Sequence, residues 1–250
     1  MTNQVKRLFV QHLKELGLLP GDTLLVHAAF SSLKTDGISP QEVLEWFLEY
    51  LGEEGTFCMP ALSYKYVNKQ NPCFDQRLTN SCVGILPETF RLMPGVRRSL
   101  HPTHSVCAIG KYAASLSENH HLDSTPCGKH SPFSLLPGLG GKILMLGCGL
   151  NPNTSMHAIE EHIKPPYVFG EPFLNKLIDE GNRLTDKVYT PHGFDGWEQM
   201  YERVGELDNN GWIKKGPVLA AESFLIDAEG LWREVKAKLA EDELFFVDRI

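Results

Sequence analysis

Apolar runs alternate with helical patterns along this chain. Residues 24–29 form a short apolar run after the turn at residues 20–22, and they predict a buried strand. Apolar side chains then recur at helical spacing over residues 40–51, and residues 56–62 predict a second strand. Ser39, Pro40 and Glu42 stand where a helix with a capping box begins. A strand, a helix and a strand in this order predict a βαβ unit with parallel strands.

The same alternation continues to the end of the chain and predicts an α/β fold, in which helices cover both faces of a mostly parallel central sheet. Between residues 165 and 190 the periodicity fades, which predicts a smaller irregular α+β excursion. With no repeat and no linker, we expect one domain over residues 1–250. Further helices are predicted at residues 1–17, 81–93, 131–136, 154–164, 193–204 and 229–239, and further strands at 105–109, 142–147 and 218–226.

Composition narrows the class of protein. The 250 residues are 42% hydrophobic and 22% charged, which is typical of a globular chain with a substantial core. The net charge of −7 argues against nucleic-acid binding and is compatible with a cationic substrate. No apolar stretch approaches the length of a membrane span, and no signal peptide is evident. Six cysteines without a CxxC motif suggest buried free thiols in a cytoplasmic protein.

The most informative segment follows the predicted strand at residues 142–147. Asn153 and Thr154 are good helix caps, so His157 falls in the first turn of a helix. The helix dipole opposes a positive charge there, and we expect a neutral imidazole that can act as a base. Glu160 lies three residues on, where its carboxylate can orient the ring or bind a cation. The alternative is an ordinary helix start with an incidental histidine and a solvated glutamate.

Two other features suggest ligands. Ser31 and Ser32 follow the first predicted strand, where hydroxyls and backbone N–H groups can bind phosphate, although an ordinary serine-rich turn remains an alternative. Neither a Walker motif nor GxGxxG is present. Seven histidines lie between residues 101 and 162, so a zinc hydrolase is conceivable. His157 and His162 are five residues apart and HExxH is absent, so we expect no metal.

Several short motifs, taken in order, resemble the aminoglycoside 3-N-acetyltransferase family, also called the antibiotic N-acetyltransferases. The resemblance extends from Leu16 to about Glu161, and it is carried by Pro20-Gly21-Asp22-Thr23-Leu24-Leu25-Val26-His27, Gly55-Thr56, Met59-Pro60, Phe74-Asp75, His101-Pro102, His104-Ser105-Val106, Ser124-Thr125-Pro126, Gly128, Ser131-Pro132 and, above all, Asn153-Thr154-Ser155-x-His157-x-x-Glu160. It implies a three-layer α/β/α fold that differs from that of the GNAT acetyltransferases. It also implies transfer of an acetyl group from acetyl-coenzyme A to a cationic amine, with no metal.

The resemblance also implies roles for individual residues. His157 corresponds to the catalytic histidine, and His27 lines the thioester end of the pocket. Asp75 and Glu160 are candidates for holding the amine, and Thr154 is a candidate hydrogen-bond donor to the thioester oxygen. The residues expected in loops that touch coenzyme A are Ser31, Ser32, His104, Ser105 and Ser131.

Departures from the family pattern leave other functions open. Gln76 and Asn80 replace prolines, and Cys127 and Ile159 also differ from many relatives, so the acceptor could be a non-antibiotic amine. Two further alternatives are a ping-pong acyltransferase that uses Cys107, Cys127 or Cys148, and a coenzyme-A-binding protein without activity. We expect a monomer or homodimer that binds neither nucleic acid nor membrane.

Overall fold

A computed structural model describes residues 2–34, 36–208 and 210–250, so residue 1 of the first predicted helix lies outside it. The α/β class is confirmed. The strands are β1 (Thr23–Ala28), β2 (Thr56–Pro60), β3 (Cys73–Asp75), β4 (Arg97–Arg98), β5 (Val106–Gly110), β6 (Lys142–Leu146), β7 (Phe173–Ile178), β8 (Leu184–Tyr189), β9 (Trp197–Gln199), β10 (Ile213–Val218), β11 (Ala221–Asp227) and β12 (Val247–Arg249). Seven of them form the main sheet, in the order β10-β11-β6-β1-β2-β5-β4.

The main sheet is mixed, whereas the sequence predicts a mostly parallel one. β1 pairs in parallel with both β2 and β6, which confirms the parallel arrangement of the first βαβ unit. The outer strands pair in antiparallel fashion. β5 and β4 extend the sheet beyond β2, and β11 and β10 extend it beyond β6. The predicted strand at residues 218–226 is in fact the turn and second arm of a hairpin, since the chain reverses at Leu219 with a φ of 55°.

Helices cover both faces of this sheet. They are α1 (Thr2–Leu16), α2 (Pro40–Leu51), α3 (Ile85–Arg91), α4 (Ala113–Ser117), α5 (Pro132–Leu135), α6 (Ser155–Ile163) and α7 (Ala228–Glu241). Side chains alternate across a strand, so Leu24 and Val26 of β1 share a buried cluster with α1–α3, whereas Leu25 belongs to the cluster formed with α4–α7. The three-layer α/β/α arrangement follows from these two clusters.

Local capping signals explain two helix starts. The Ser39 hydroxyl accepts from the Glu42 backbone N–H at 3.2 Å, and the Glu42 carboxylate accepts from the Ser39 N–H at 2.8 Å, which confirms the capping box of α2. At α6 the Asn153 side chain accepts from the Ser155 N–H at 3.1 Å, while the Thr154 side chain makes no capping bond. Thr154 therefore keeps its hydroxyl available for another partner.

The predicted helix at residues 193–204 is wrong. This stretch contains β9, which pairs with β12 near the end of the chain, and a 3₁₀ turn at Tyr201–Leu207. A strand held by a partner about fifty residues away leaves no local periodicity to recognise. Within the irregular excursion, β7 and β8 form a small sheet that β3 completes from an earlier part of the chain, in the order β3-β7-β8. Among the described residues, no helix is both long and apolar enough to cross a bilayer.

Candidate active site

A cavity of about 880 Å³ opens at the carboxyl ends of the central strands. His27 and Ala28 of β1, Pro60 of β2 and the residues after β6 line it from the sheet. Phe173 and Phe194 line it as well. Ligands of open α/β sheets bind at this edge, because loops from several strands converge there. The predicted location of the site therefore coincides with a real cavity.

The turn between β6 and α6 brings His157 to this cavity. Gly147 and Gly149 both have positive φ, near 67° and 68°. A side chain at Gly147 would also collide with the Ser32 hydroxyl. The turn then leads to Asn153, which caps α6, and His157 follows with 14% of its side chain exposed. The predicted placement of His157 in the first turn of a helix is confirmed.

The His157 ring is within hydrogen-bonding distance of a buried carboxylate and of a tyrosine hydroxyl. Its Nδ1 lies 3.1 Å from Glu160 Oε2 and 2.9 Å from the Tyr201 hydroxyl, which itself donates to Glu160 Oε2 at 2.7 Å. Tyr167 donates to the other oxygen of Glu160 at 3.0 Å. With Nδ1 engaged by these partners, Nε2 is the ring nitrogen left for the cavity.

Tyr167 and Tyr201, which donate hydrogen bonds to Glu160, keep their hydroxyls protonated. Burial, and secondarily the negative charge of Glu160, raises the pKa of Tyr201 well above its usual value. The same two causes raise the pKa of Tyr167. Glu160 has no exposed side-chain surface, so it contacts neither solvent nor a ligand directly. Glu160 contacts His157 but does not line the cavity, so the geometry does not support its predicted role in holding an amine.

A second histidine–carboxylate pair lies beside the first. His192 Nε2 is 2.7 Å from Glu161 Oε1, which also accepts from the Cys127 N–H at 2.6 Å. The His192 and His157 rings lie with centroids 4.4 Å apart, and both line the cavity. Burial raises the pKa of Glu161 to about 7, against the opposing effect of its hydrogen bonds from Thr125 and Cys127.

Two other predicted histidines reach the cavity. Burial, and secondarily the positive charge of His157, lowers the pKa of His27 to about 3, so its ring is neutral. Its Nε2 is buried and has no hydrogen-bond partner in the described part of the chain. His104 lines the same cavity with its Nδ1 held 2.9 Å from the Thr103 hydroxyl, and burial lowers its pKa well below the usual value. Thr154 completes the predicted residues that line this space.

Four of the residues predicted to touch coenzyme A do not line the cavity. The Ser105 hydroxyl is buried and bonded to Arg98 and to the Ala61 carbonyl, each at 2.8 Å. The Ser131 hydroxyl is also buried and caps α5. The Ser32 hydroxyl donates to the Ala29 carbonyl at 2.6 Å, and Ser31 is exposed on the turn beside it. Their predicted contacts with coenzyme A receive no support from this geometry.

Asp75 is likewise occupied within the protein. Its Oδ1 accepts from the backbone N–H groups of Arg77 at 2.9 Å and Leu78 at 3.0 Å. The carboxylate thus stabilises the turn after β3, and it does not line the cavity. The predicted role of Asp75 in holding an amine is not supported, because the residue does not line the cavity and its Oδ1 is bonded to its own turn.

The one group of metal-ligating side chains found among the described residues consists of Cys127, Glu161 and His192. Their donor atoms lie within 4.8 Å of one another. A tetrahedral zinc with bonds of about 2.0 Å would separate two ligand atoms by roughly 3.3 Å. The distance between His192 and Glu161 is 2.7 Å, so this pair is arranged as a hydrogen bond.

The three cysteines considered as nucleophiles are held as thiols. Burial raises the pKa of Cys107 to about 12 and that of Cys148 to about 11, and it raises the pKa of Cys127 well above the usual value. Only Cys148 of these lines the cavity. Because the thiolate is the reacting form, this environment disfavours a covalent acyl–cysteine intermediate.

Sequence reasoning missed Glu161, Tyr167, His192 and Tyr201. Glu161 stands directly beside a predicted residue, so a carboxylate pair on one helix was a visible signal. His192 and Tyr201 come from a stretch without recognisable periodicity, and they meet α6 only in the folded chain. Their residue types alone did not distinguish them from surface residues.

The chain is similar to proteins of known function. The chain is 27% identical to aminoglycoside N(3)-acetyltransferase VII of Streptomyces paromomycinus, over 90% of this chain and 89% of the relative. It is 29% identical to aminoglycoside N(3)-acetyltransferase IV of Salmonella sp., over 95% and 88%.

Two solved structures are similar over nearly the whole chain. AAC-IIIb, in a binary complex with CoASH, has a TM-score of 0.82 at 25% identity and covers 94% of this chain and 96% of its own. A histidine-to-alanine mutant of AAC(3)-IVa in complex with a gentamicin has a TM-score of 0.82 at 28% identity, with 96% and 90% covered. Residues 25–240 match the family model described as aminoglycoside 3-N-acetyltransferase. With this match over most of the sequence, the chain belongs to the aminoglycoside 3-N-acetyltransferase family, whose members are acetyltransferases.

Proposed function

We propose that this protein transfers the acetyl group of acetyl-coenzyme A directly to an amino group of an aminoglycoside. The observation that carries the proposal is His157, presented to the cavity with Glu160 and Tyr201 behind its ring. A similar structure contains CoASH and another contains a gentamicin, which supports these two classes of ligand here.

In this mechanism His157 is the general base. The free amine attacks the thioester carbonyl carbon, and Nε2 of His157 accepts the proton that the nitrogen loses as the C–N bond forms. Glu160 and Tyr201 hold Nδ1, so they fix the ring orientation, and the carboxylate stabilises the imidazolium. When the C–S bond breaks, the same proton goes to the departing sulfur and coenzyme A leaves as a thiol.

The developing negative charge on the thioester oxygen needs hydrogen-bond donors. Thr154 lines the cavity and its hydroxyl makes no capping bond. His27 lines it as well, with a neutral ring and an Nε2 that has no hydrogen-bond partner among the described residues. We assign the oxyanion contacts to these two side chains. The high pKa of Cys148, about 11, favours direct transfer over an acyl–enzyme.

Substitution of His157 tests the proposal. His157→Ala should lower kcat by about 10²–10⁴ while acetyl-coenzyme A still binds, because the base is lost and positioning is kept. His157→Gln should be nearly as damaging, since an amide does not accept the proton. The matched control is His162→Ala, an exposed histidine on the same helix, which should leave kcat unchanged. If His157→Ala retains more than about a third of kcat when chemistry is rate-limiting, another residue is the base.

One observation favours a second acceptor class. Among the described residues that line the cavity, none is an aspartate or glutamate, and Lys69 is the only lysine or arginine. A polycation would find little compensating charge on these walls. A non-antibiotic amine of lower charge is therefore the second candidate acceptor. Measuring thiol release from acetyl-coenzyme A with gentamicin and with simple monoamines distinguishes the two by kcat/KM.

A further inference from the structure

Two adjacent glutamates on α6 each hold a different histidine at the same cavity. Glu160 holds His157 and Glu161 holds His192, and the two rings are 4.4 Å apart. We propose that His192, held by Glu161, is a second base that removes the first proton of the incoming ammonium, while His157 removes the second. This inference rests on the proposed acetyl transfer and assigns a residue that the single-base mechanism leaves unused.

The geometry supports a built site rather than a chance contact. The side chains of His192 and Glu161 are 8% and 4% exposed, and their hydrogen bond is 2.7 Å long. Glu161 is in turn held by the Cys127 N–H at 2.6 Å and by the Thr125 hydroxyl. A carboxylate fixed on three sides has one orientation, so it fixes the His192 ring against the cavity.

In the overall reaction the nitrogen of the amine loses two protons. A protonated amine carries three N–H bonds, and the amide product keeps one of them. The first proton must leave before attack, because an ammonium nitrogen has no lone pair. In our proposal it moves to His192 and from there to solvent. The second leaves as the C–N bond forms, moves to His157, and is delivered to the sulfur when the C–S bond breaks.

Two imidazolium ions at this separation would repel each other strongly if they stood alone. His192 faces His157 and Glu161 of α6, His104 of the loop before β5, and Cys127. Burial, and secondarily the positive charge of His157, lowers the pKa of His192. Each ring, however, contacts its own carboxylate. A pair made of one imidazolium and one carboxylate therefore has no net charge. Glu161, whose pKa burial raises to about 7, lets the second pair take up a proton near neutrality.

The test is the pH dependence of kcat/KM for gentamicin in His192→Gln. At pH 7 we expect a loss of roughly 10²-fold, because the variant must wait for the small fraction of free amine. The deficit should shrink by nearly tenfold per pH unit toward pH 9, since solvent then performs the first deprotonation. His157→Ala should keep its full deficit over the same range, and His162→Gln is the matched control without effect.

Glu161→Gln should show a smaller loss of kcat/KM at pH 7, which also shrinks toward pH 9. The loss is smaller because the His192 ring stays while its charge partner is lost. Since Glu161 also holds the backbone at Cys127, Ser134→Ala serves as its control for a merely structural disturbance. It removes the hydrogen bond from the Ser134 hydroxyl to the Cys127 carbonyl without touching Glu161, and it should leave the pH profile unchanged. A His192→Gln deficit that is constant with pH, or no deficit at all, would overturn the second base. Full activity of His157→Ala would instead contradict the proposed function.

Discussion

At the scale of single residues, Glu160 has no exposed side-chain surface and accepts hydrogen bonds from two tyrosines. The two tyrosines differ in what else they touch. Tyr201 also lies 2.9 Å from His157 Nδ1, whereas Tyr167 bonds only to the carboxylate. Variants of the two tyrosines can therefore distinguish stabilisation of the Glu160 carboxylate from orientation of the His157 ring.

This difference gives a residue-scale expectation. Tyr201→Phe should lower kcat by about tenfold and the free energy of unfolding by about 1–3 kcal/mol, because a buried acceptor loses its partner. Tyr167→Phe should cost similar stability with a much smaller effect on kcat. Steady-state kinetics and urea unfolding measure both quantities. Equal effects of the two variants on kcat would show that Tyr201 does not act through His157.

At the scale of elements, the turn between β6 and α6 determines where the helix starts. Gly147 and Gly149 both adopt positive φ, but only Gly147 lies against neighbouring side chains, those of Ser32 and Ala221. The space around Gly149 is open within 4 Å. Backbone strain and steric collision can therefore be measured separately at two nearby positions.

Gly149→Ala should cost about 1–2 kcal/mol of folding stability from the left-handed conformation alone. Gly147→Ala should cost at least about 1 kcal/mol more, because its Cβ must displace the turn that carries Ser32. Since that displacement also moves the start of α6, kcat should fall in Gly147→Ala and stay close to wild type in Gly149→Ala. Urea unfolding and kinetics on both proteins provide the test, and equal stabilities would refute the steric argument.

At the scale of the whole molecule, buried histidines make stability depend on pH. Burial lowers the pKa of His27 and of His120 to about 3, and it lowers the pKa of His101, His104 and His192 in the same direction. The unfolded chain binds protons at these sites below about pH 6.5, whereas the folded protein does not. Stability is therefore lost as the pH falls from about 6.5 toward 3. Glu161, with its pKa raised to about 7, opposes this trend between about pH 4.5 and 7.

Each such histidine should contribute up to about 1.4 kcal/mol per pH unit in that window. His120→Gln should reduce the slope of unfolding free energy against pH by about this amount between pH 6 and 4. The exposed His162→Gln is the control and should leave the slope unchanged. Urea unfolding at several pH values measures the slope. An unaltered slope in His120→Gln would contradict the assignment of His120 as a buried neutral ring.

The sequence by itself determined the α/β class, the βαβ unit and the placement of His157 and Glu160 one turn apart at a helix start. These features depend on short-range patterns, namely apolar periodicity, helix caps and glycine turns, which a single sequence displays. That the chain forms one domain, lies in the cytoplasm and is a monomer or homodimer stays a prediction.

The tertiary structure decided the rest. The main sheet is mixed, whereas the sequence predicts a mostly parallel one. Ser105, Ser131 and Asp75 do not line the cavity, and the hydroxyls of the two serines and Oδ1 of Asp75 are hydrogen-bonded within the protein. The tertiary structure also brought His192 and Tyr201 against α6 from a stretch with no local pattern. The physical reason is the same in each case, since strand direction and side-chain partners depend on contacts between distant segments, which local periodicity does not encode.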